Sequence, residues 1–169
     1  AALYQERCGS CHGVTGGADG PAARGLDPPP IAFTDVERAR QRSVFGLYQV
    51  ISQGLEGTAM TSFSDLPSEE RWGLALYVGQ FAFSPERARE GERLWREDQS
   101  VRAHIPNLQA LAQLTPEALV ARVGEERALA LTAYLRRHPE AISQAGGNTS
   151  LTVARRRLEE SVSAYAAGN

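Results

Sequence analysis

The chain has 169 residues, 42% of them hydrophobic and 22% charged, with a formal net charge of −2. This length and apolar content predict a soluble globular protein of one ordinary domain or two small ones. All 18 basic residues are arginine, and they are interleaved with 20 acidic residues. Because they form no basic stripe, we expect no nucleic-acid partner. The longest apolar stretch, around residues 74–83, is far shorter than the roughly 20 residues of a membrane-spanning helix.

Both cysteines lie in one pentapeptide, Cys8-Gly9-Ser10-Cys11-His12. C-x-x-C-H is the attachment signature of c-type haem, in which two thiols on one helical turn bond to the haem vinyl groups and the next imidazole faces the iron. A thioredoxin-like dithiol would follow a strand, for which seven preceding residues leave no room, and a zinc site would need a further ligand. The pattern favours one covalently attached haem over these two alternatives.

The single methionine, Met60, lies in a polar, glycine-containing stretch at residues 54–63. A haem iron that shuttles electrons needs a second axial ligand, and Met and His are the usual choices. We predict that Met60 is this ligand. In the alternatives, Met60 fills a gap at the haem edge without binding iron, or His104 or His138 binds instead. His138 lies at a predicted helix end, where a solvated side chain is expected.

A loop rich in glycine and proline follows His12. Six glycines in residues 9–25 and three prolines at 28–30 argue against a helix or a central strand there. The second ring nitrogen of a metal-bound histidine normally donates to a carbonyl or carboxylate. We therefore predict that the carbonyl of Pro28 or Pro29 accepts from His12, the alternative being a loop that is only a spacer.

Helical periodicity begins after this loop, and no strand-like alternation is present. One predicted helix carries an apolar stripe at Val44, Leu47, Tyr48, Ile51 and Leu55. A second helix is predicted to begin after Pro67 and to place its apolar face at Trp72, Leu76, Tyr77 and Phe81.

Four motifs of residues 1–83 occur together in a known family. They are the Cys8 to Gly13 segment, the Gly-Pro loop ending at residues 25–30, Gly57-x-x-Met60, and the helix start at residues 66–72. In this combination the segment resembles a class I cytochrome c domain. The resemblance implies an all-α fold in which Cys8 and Cys11 anchor one haem c and His12 and Met60 are axial ligands. Thr61 departs from the family, which often has proline after the ligand methionine.

Residues 84–146 contain no cysteine, so they cannot attach a second c-type haem covalently. They are nevertheless similar in sequence to the first half. Residues 91–97 are similar to residues 3–6, and residues 114–119 are similar to the helix start after residue 66. One interpretation is a duplicated cytochrome fold that lost its haem site, and the alternative is chance similarity between two amphipathic segments. Either way we predict a haemless helical domain, in which His104 is a relic or a surface residue.

Residues 147–169 are predicted to be a linker followed by an amphipathic C-terminal helix, capped by Thr149 or Ser150. Its narrow apolar stripe comprises Leu151, Ala154, Leu158, Val162 and Tyr165. We expect this helix to dock on the chain itself or to lead into a longer protein.

The order of a haem domain, a haemless helical region and an Arg/Glu-rich helix resembles the periplasmic region of bacterial iron permease fusion proteins. The resemblance implies a membrane permease partner, with the haem domain carrying away the electron as ferrous iron is oxidised for uptake. The Arg-Glu-x-x-Glu signature of the permease is absent, since residues 157–160 read Arg-Leu-Glu-Glu. We therefore expect any permease part to lie outside this chain.

The haem motif predicts an electron carrier with a redox partner protein, which requires no catalytic acid, base or nucleophile. The resemblance implies that it is periplasmic. Two other function classes remain as alternatives. In one, the chain is a ferroxidase or iron-binding domain that holds ferrous iron with acidic pairs at residues 69–70, 125–126 or 159–160. In the other, it is a haem-based sensor in which a gas displaces Met60.

Overall fold

The computed structural model describes residues 1–145, and every regular element among them is helical. The all-α prediction is therefore confirmed for this part of the chain. No helix in residues 1–145 combines the length and apolarity needed to cross a membrane. The linker and C-terminal helix predicted at residues 147–169 lie outside the described residues.

An N-terminal group of five α-helices occupies residues 2–78. These are α1 (Ala2–Arg7), α2 (Gly9–His12), α3 (Val36–Arg40), α4 (Val44–Gln53) and α5 (Ser68–Val78). The predicted loop after His12 contains one 3-10 turn at Pro21–Ala23, where the fixed φ of proline suits the first position of a helical turn. The N-caps of α3 and α4 are Asp35 and Ser43, whose side chains accept hydrogen bonds from backbone N–H groups of the first turn.

The helix α4 is shorter than its predicted stripe. It ends at Gln53 because Gly54 takes a positive φ of 72°, which glycine adopts readily and which breaks the helix. Leu55, predicted as the last residue of the apolar face, lies beyond the helix and is 44% exposed. This part of the sequence prediction was wrong.

A C-terminal group of six helices follows. These are α6 (Pro85–Glu97), α7 (Gln99–Arg102), α8 (Leu108–Gln113), α9 (Pro116–Val123), α10 (Glu125–Leu135) and α11 (Glu140–Ala145). The helix start expected near residues 114–119 is found, with Thr115 as N-cap and Pro116 in the first turn of α9.

The core of the N-terminal group forms where α1 meets α5. Tyr4 is fully buried, and its ring centroid lies 5.3 Å from that of Tyr77 and 5.2 Å from that of Phe81, with tilted ring planes. Such tilted aromatic pairs contribute beyond their buried area. The other buried apolar residues of this core are Val44, Leu47, Ile51, Leu66, Leu74, Ala75 and Val78.

The core of the C-terminal group is organised by α6 packing on α10. A Cβ atom at Gly91 would lie 1.9 Å from the backbone oxygen of Ala130, so the two backbones approach closely only because this residue is glycine. Trp95 is buried beside this contact, and its Nε1 donates to the oxygen of Ala141 at 3.3 Å.

Apolar and arginine contacts join the two groups. A small buried cluster combines Phe83 and Ala88 with Leu129 and Ala133 of α10. Arg40 of α3 forms ion pairs at 2.8 Å with Glu117 of α9 and at 2.7 Å with Glu125 of α10. The division into domains at residues 83 and 84 stays a prediction.

Candidate functional site

The segment from Cys8 to His12 places two thiols and an imidazole on one helical turn. Cys8 ends α1, and its φ of −125° breaks the helix before α2 begins. The carbonyl of Cys8 accepts from the backbone N–H of Cys11 at 3.2 Å and of His12 at 2.9 Å. Both cysteines are free and partly exposed. The three side chains that the sequence predicts to hold a haem therefore share one compact element.

The environment of Cys8 differs from that of a redox dithiol. Burial raises the pKa of its thiol to about 11, although the nearby guanidinium group of Arg7 acts in the opposite direction. Reactive dithiol sites instead lower the pKa of their attacking cysteine. This observation argues against the thioredoxin-like alternative.

The imidazole of His12 is buried and held from one side. Its Nδ1 lies 3.1 Å from the carbonyl oxygen of Ile31. Because a carbonyl can only accept, Nδ1 carries the proton and Nε2 keeps a free lone pair. The ring of Phe33 stacks on the imidazole, with 4.4 Å between the ring centroids. Burial lowers the pKa of His12, which favours the neutral form that binds metals.

The carbonyl that meets His12 differs from the one predicted. It belongs to Ile31, whereas Pro28 and Pro29 are both exposed. The backbone N–H of Phe33 donates to the oxygen of Gly16 at 2.7 Å, which ties this segment to the loop after His12 and brings Ile31 to the ring. The expectation of a carbonyl acceptor from this loop thus corresponds to a real contact, but the choice of Pro28 or Pro29 was wrong by two or three positions.

Met60 lies on a separate loop that closes against the end of α4. The backbone N–H of Leu55 donates to the oxygen of Met60 at 2.9 Å, and the N–H of Met60 donates to the hydroxyl of Thr58 at 3.0 Å. Farther along, the N–H of Phe63 donates to the oxygen of Ile51 at 3.0 Å. These bonds fix the backbone of the methionine loop, while the role of Met60 as an iron ligand stays a prediction.

The other histidines belong to the C-terminal group. His104 is half-buried in the turn after α7, and its backbone N–H donates to the oxygen of Val101. His138 is exposed, and its Nδ1 lies 3.1 Å from a carboxylate oxygen of Glu140. Neither residue lies in the Cys8 to His12 turn.

The acidic pairs considered for ferrous iron are placed in different ways. Glu125 pairs with Arg40 at 2.7 Å, and Glu126 pairs with Arg87 at 3.5 Å, so these carboxylates connect helices. Residues 69–70 are exposed in the first turn of α5. Residues 159–160 lie outside the described part. Within residues 1–145, no group of three or more His, Cys, Asp or Glu side chains is arranged to hold a metal ion.

A large apolar cavity lies away from this turn. It has a volume of about 510 Å³ and is lined by residues of α4, α5 and α8. Its walls include Phe45 and Leu108, each 39% exposed, together with Trp72. None of the predicted haem-binding residues lines it, so it is a feature of the contact between the two groups.

Residues 1–78 match the family model described as cytochrome C oxidase, cbb3-type, subunit III. This match supports a cytochrome c domain in residues 1–78. The match ends at Val78, where α5 ends, and covers less than half of the chain. No curated protein and no solved structure shows significant similarity to the chain.

A cytochrome c domain implies a haem group and a redox partner, and such domains are typically extracytoplasmic. The residues of this domain fit a haem. Two thiols stand on one turn with a neutral imidazole whose Nε2 is free, which is the donor set that c-type attachment requires. Sequence reasoning missed Ile31 and Phe33, which hold the imidazole, because neither residue type is itself a ligand. The only available signal was general: the second ring nitrogen of a metal-bound histidine normally has a hydrogen-bond acceptor, so some carbonyl or carboxylate was to be expected near His12.

Proposed function

We propose that this protein is a periplasmic electron carrier with one covalently bound haem c. The observation that carries the proposal is the buried His12, whose Nδ1 donates to the Ile31 carbonyl and whose Nε2 is free, on the same turn as two unpaired cysteines. When bound, the haem supplies a one-electron ferric/ferrous couple. The protein contributes attachment, orientation and exclusion of water.

Each site residue has one task in this proposal. Cys8 and Cys11 would hold the haem through thioether bonds, from one turn that directly follows α1. His12 would bind the haem iron through Nε2, and the carbonyl of Ile31 sets its ring orientation and raises its basicity. Met60 would be the second iron ligand, presented by a loop that is hydrogen-bonded to the end of α4. A thioether ligand raises the reduction potential relative to a second imidazole.

The partner proposed for this carrier is a membrane iron permease. This step is supported by the resemblance of the whole chain to periplasmic regions of iron permease fusion proteins. In this arrangement ferrous iron is the electron donor during uptake, and the cytochrome c domain passes the electron to a redox partner protein. The alternative is that the chain itself acts on ferrous iron as a ferroxidase or iron-binding domain.

Absorption spectra of the oxidised and reduced protein test the ligand set, with Met60→Ala as the variant and Thr61→Ala as the matched control. We expect a six-coordinate low-spin spectrum in the wild type and in Thr61→Ala. Met60→Ala should lose the weak red band of a methionine–ferric iron bond and should bind carbon monoxide readily when reduced. A wild-type spectrum unchanged by Met60→Ala would contradict ligation by Met60. Ready carbon monoxide binding by the wild type would favour the sensor alternative.

A ferrous titration tests the iron step. The oxidised protein is titrated anaerobically with ferrous iron, and the haem absorbance reports reduction. An electron carrier that depends on a permease for iron binding should be reduced without saturable binding to its own carboxylates, so Glu69→Gln/Glu70→Gln should behave like the wild type. Saturable reduction that this variant abolishes would support the ferroxidase alternative.

A further inference from the structure

Arg136 is a buried charge at the end of α10. Its side chain is 3% exposed, and its two terminal nitrogens donate to backbone carbonyls of the N-terminal group. Nη1 lies 2.8 Å from the oxygen of Gly79, and Nη2 lies 2.6 Å from the oxygen of Arg42. Within residues 1–145 no carboxylate lies within ion-pair distance of this guanidinium group. An unneutralised buried charge is costly, so its retention calls for an explanation.

The guanidinium group stays charged despite its burial. Burial lowers the pKa of Arg136 to about 10, which is still well above neutral pH. The carbonyl dipoles of Gly79 and Arg42 point at the cation and partly replace its hydration. The N-terminal group therefore receives a fixed positive charge from a helix of the C-terminal group.

This charge lies close to the residues that hold His12. Arg136 lines a small cavity of about 20 Å³ together with Ile31 and Phe33. Ile31 accepts the hydrogen bond from Nδ1 of His12, and Phe33 stacks on its ring. Ile31 and Phe33 thus contact His12 and also line the same cavity as Arg136.

Other charged residues around the cavity do not neutralise Arg136. Asp35 lines it but lies 3.9 Å from Arg38, and both of these side chains are about half exposed, so water screens them. Arg42 adds a further positive charge to the wall. The remaining wall residues are uncharged: Ala32, Ala39, Leu47, Val78 and Gly79.

We propose that Arg136 sets the reduction potential of the haem iron bound by His12, so that the haemless C-terminal group acts as a redox-tuning module. The proposal rests on the proposed function. Oxidation of the iron adds one positive charge, and a fixed cation in a low-dielectric environment disfavours that state. Arg136 therefore raises the potential and makes the haem a stronger electron acceptor. Its hydrogen bonds to Gly79 and Arg42 also link the two groups.

The test separates charge from packing with three variants of the haem-loaded chain. Arg136→Met removes the charge and both hydrogen bonds. Arg136→Lys keeps a charge that loses its proton more easily, because a buried lysine has a lowered pKa. Arg137→Met is the matched control, since Arg137 is the next residue along the chain, is half-buried and donates to the oxygen of Phe83 at 2.6 Å but does not line the cavity. Midpoint potential is measured by spectroelectrochemical titration, and stability by denaturant unfolding.

We expect Arg136→Met to raise the ferric to ferrous ratio at a fixed potential about tenfold, which is about 59 mV for a one-electron couple. Arg136→Lys should match the wild-type potential at low pH and fall below it as pH rises, while the wild-type curve changes less. Arg137→Met should lose stability without a change in potential.

A wild-type potential in Arg136→Met, or an equal fall in Arg137→Met, would overturn the proposal. If Arg136→Met does not fold, Arg136→Lys decides, because a pH profile parallel to that of the wild type contradicts an effect of charge. A wild type without a haem spectrum would instead refute the proposed function, so the two failures are distinguishable.

Discussion

Gly54 is the residue on which the position of the methionine loop depends most visibly. It has a φ of 72°, and a Cβ atom added there would lie 2.6 Å from the backbone oxygen of Met60. Gly54→Ala must therefore both strain the backbone and push the loop away from α4. We expect a loss of more than about 1–2 kcal/mol in the free energy of unfolding and a weakened methionine–iron band. Denaturant unfolding and absorption spectra of the haem-loaded protein measure the two effects.

Gly57 supplies the control for this prediction. It also has a positive φ, of 75°, but no atom lies within 4 Å of the position that its Cβ would take. Gly57→Ala should therefore cost only the backbone strain of about 1–2 kcal/mol and leave the methionine–iron band intact. Equal loss of the band in both variants would show that the contact between Gly54 and Met60 does not position the ligand.

Individual residues differ in how far their roles can be predicted from the sequence. The spacing of Cys8, Cys11 and His12 is enough to place them on one turn, because only local backbone geometry is involved. The partner of His12 is Ile31 because of a long-range hydrogen bond between the Phe33 and Gly16 backbones, which leaves no mark in the sequence. The sequence would likewise predict a surface position for Arg136, which is buried only in the tertiary structure.

Helices were predictable where an apolar stripe and a cap occur together. The helices α4 and α5 begin at Val44 and Ser68, as the periodicity and Pro67 indicate. The end of α4 was misjudged because the glycine conformation, and not the apolar pattern, terminates it. The short helices α7 and α8 were not predicted separately, although each has a local N-cap, Asp98 and Asn107, because helices of four and six residues are too short to show a clear apolar stripe.

The hypothesis of a duplicated fold has a counterpart at the level of helices. In the N-terminal group, α1 meets α5 through Tyr4, and in the C-terminal group α6 packs on α10 beside Trp95. The sequence similarity between the two halves also aligns Tyr4 with Trp95, since each follows a leucine in the first helix of its group. This correspondence supports a duplication that lost its haem site, which stays a hypothesis.

The crossing of α6 and α10 gives a prediction about helix packing. Gly91→Ala should lower the free energy of unfolding by about 1–3 kcal/mol, because the new methyl group must displace the backbone of Ala130. Denaturant unfolding measures this change.

Gly73 of α5 is the matched control, since it is exposed and has no atom within 4 Å of its Cβ position. Gly73→Ala should stabilise the protein by up to about 1 kcal/mol through helix propensity. If both substitutions had the same sign, close approach at Gly91 would not be the decisive feature of this crossing.

At the scale of the whole molecule, the C-terminal group is expected to support the cytochrome c domain. Residues 1–83 alone would leave the carbonyls of Gly79 and Arg42 without the guanidinium donors of Arg136 and would uncover Phe83, which is 3% exposed in the whole chain. We expect haem-loaded residues 1–83 to unfold at a lower denaturant concentration than haem-loaded residues 1–145, with the Soret absorbance as the probe. Equal midpoints would show that the two groups are energetically independent.

The central claim is that one haem is bound covalently through Cys8 and Cys11. Intact-protein mass spectrometry after denaturation tests it most directly, with protein exported from a bacterial host that attaches c-type haem. For the wild type we expect the mass of the polypeptide plus one haem, and for Cys8→Ser/Cys11→Ser we expect the polypeptide mass alone. A wild-type mass without haem, or with two, would contradict it.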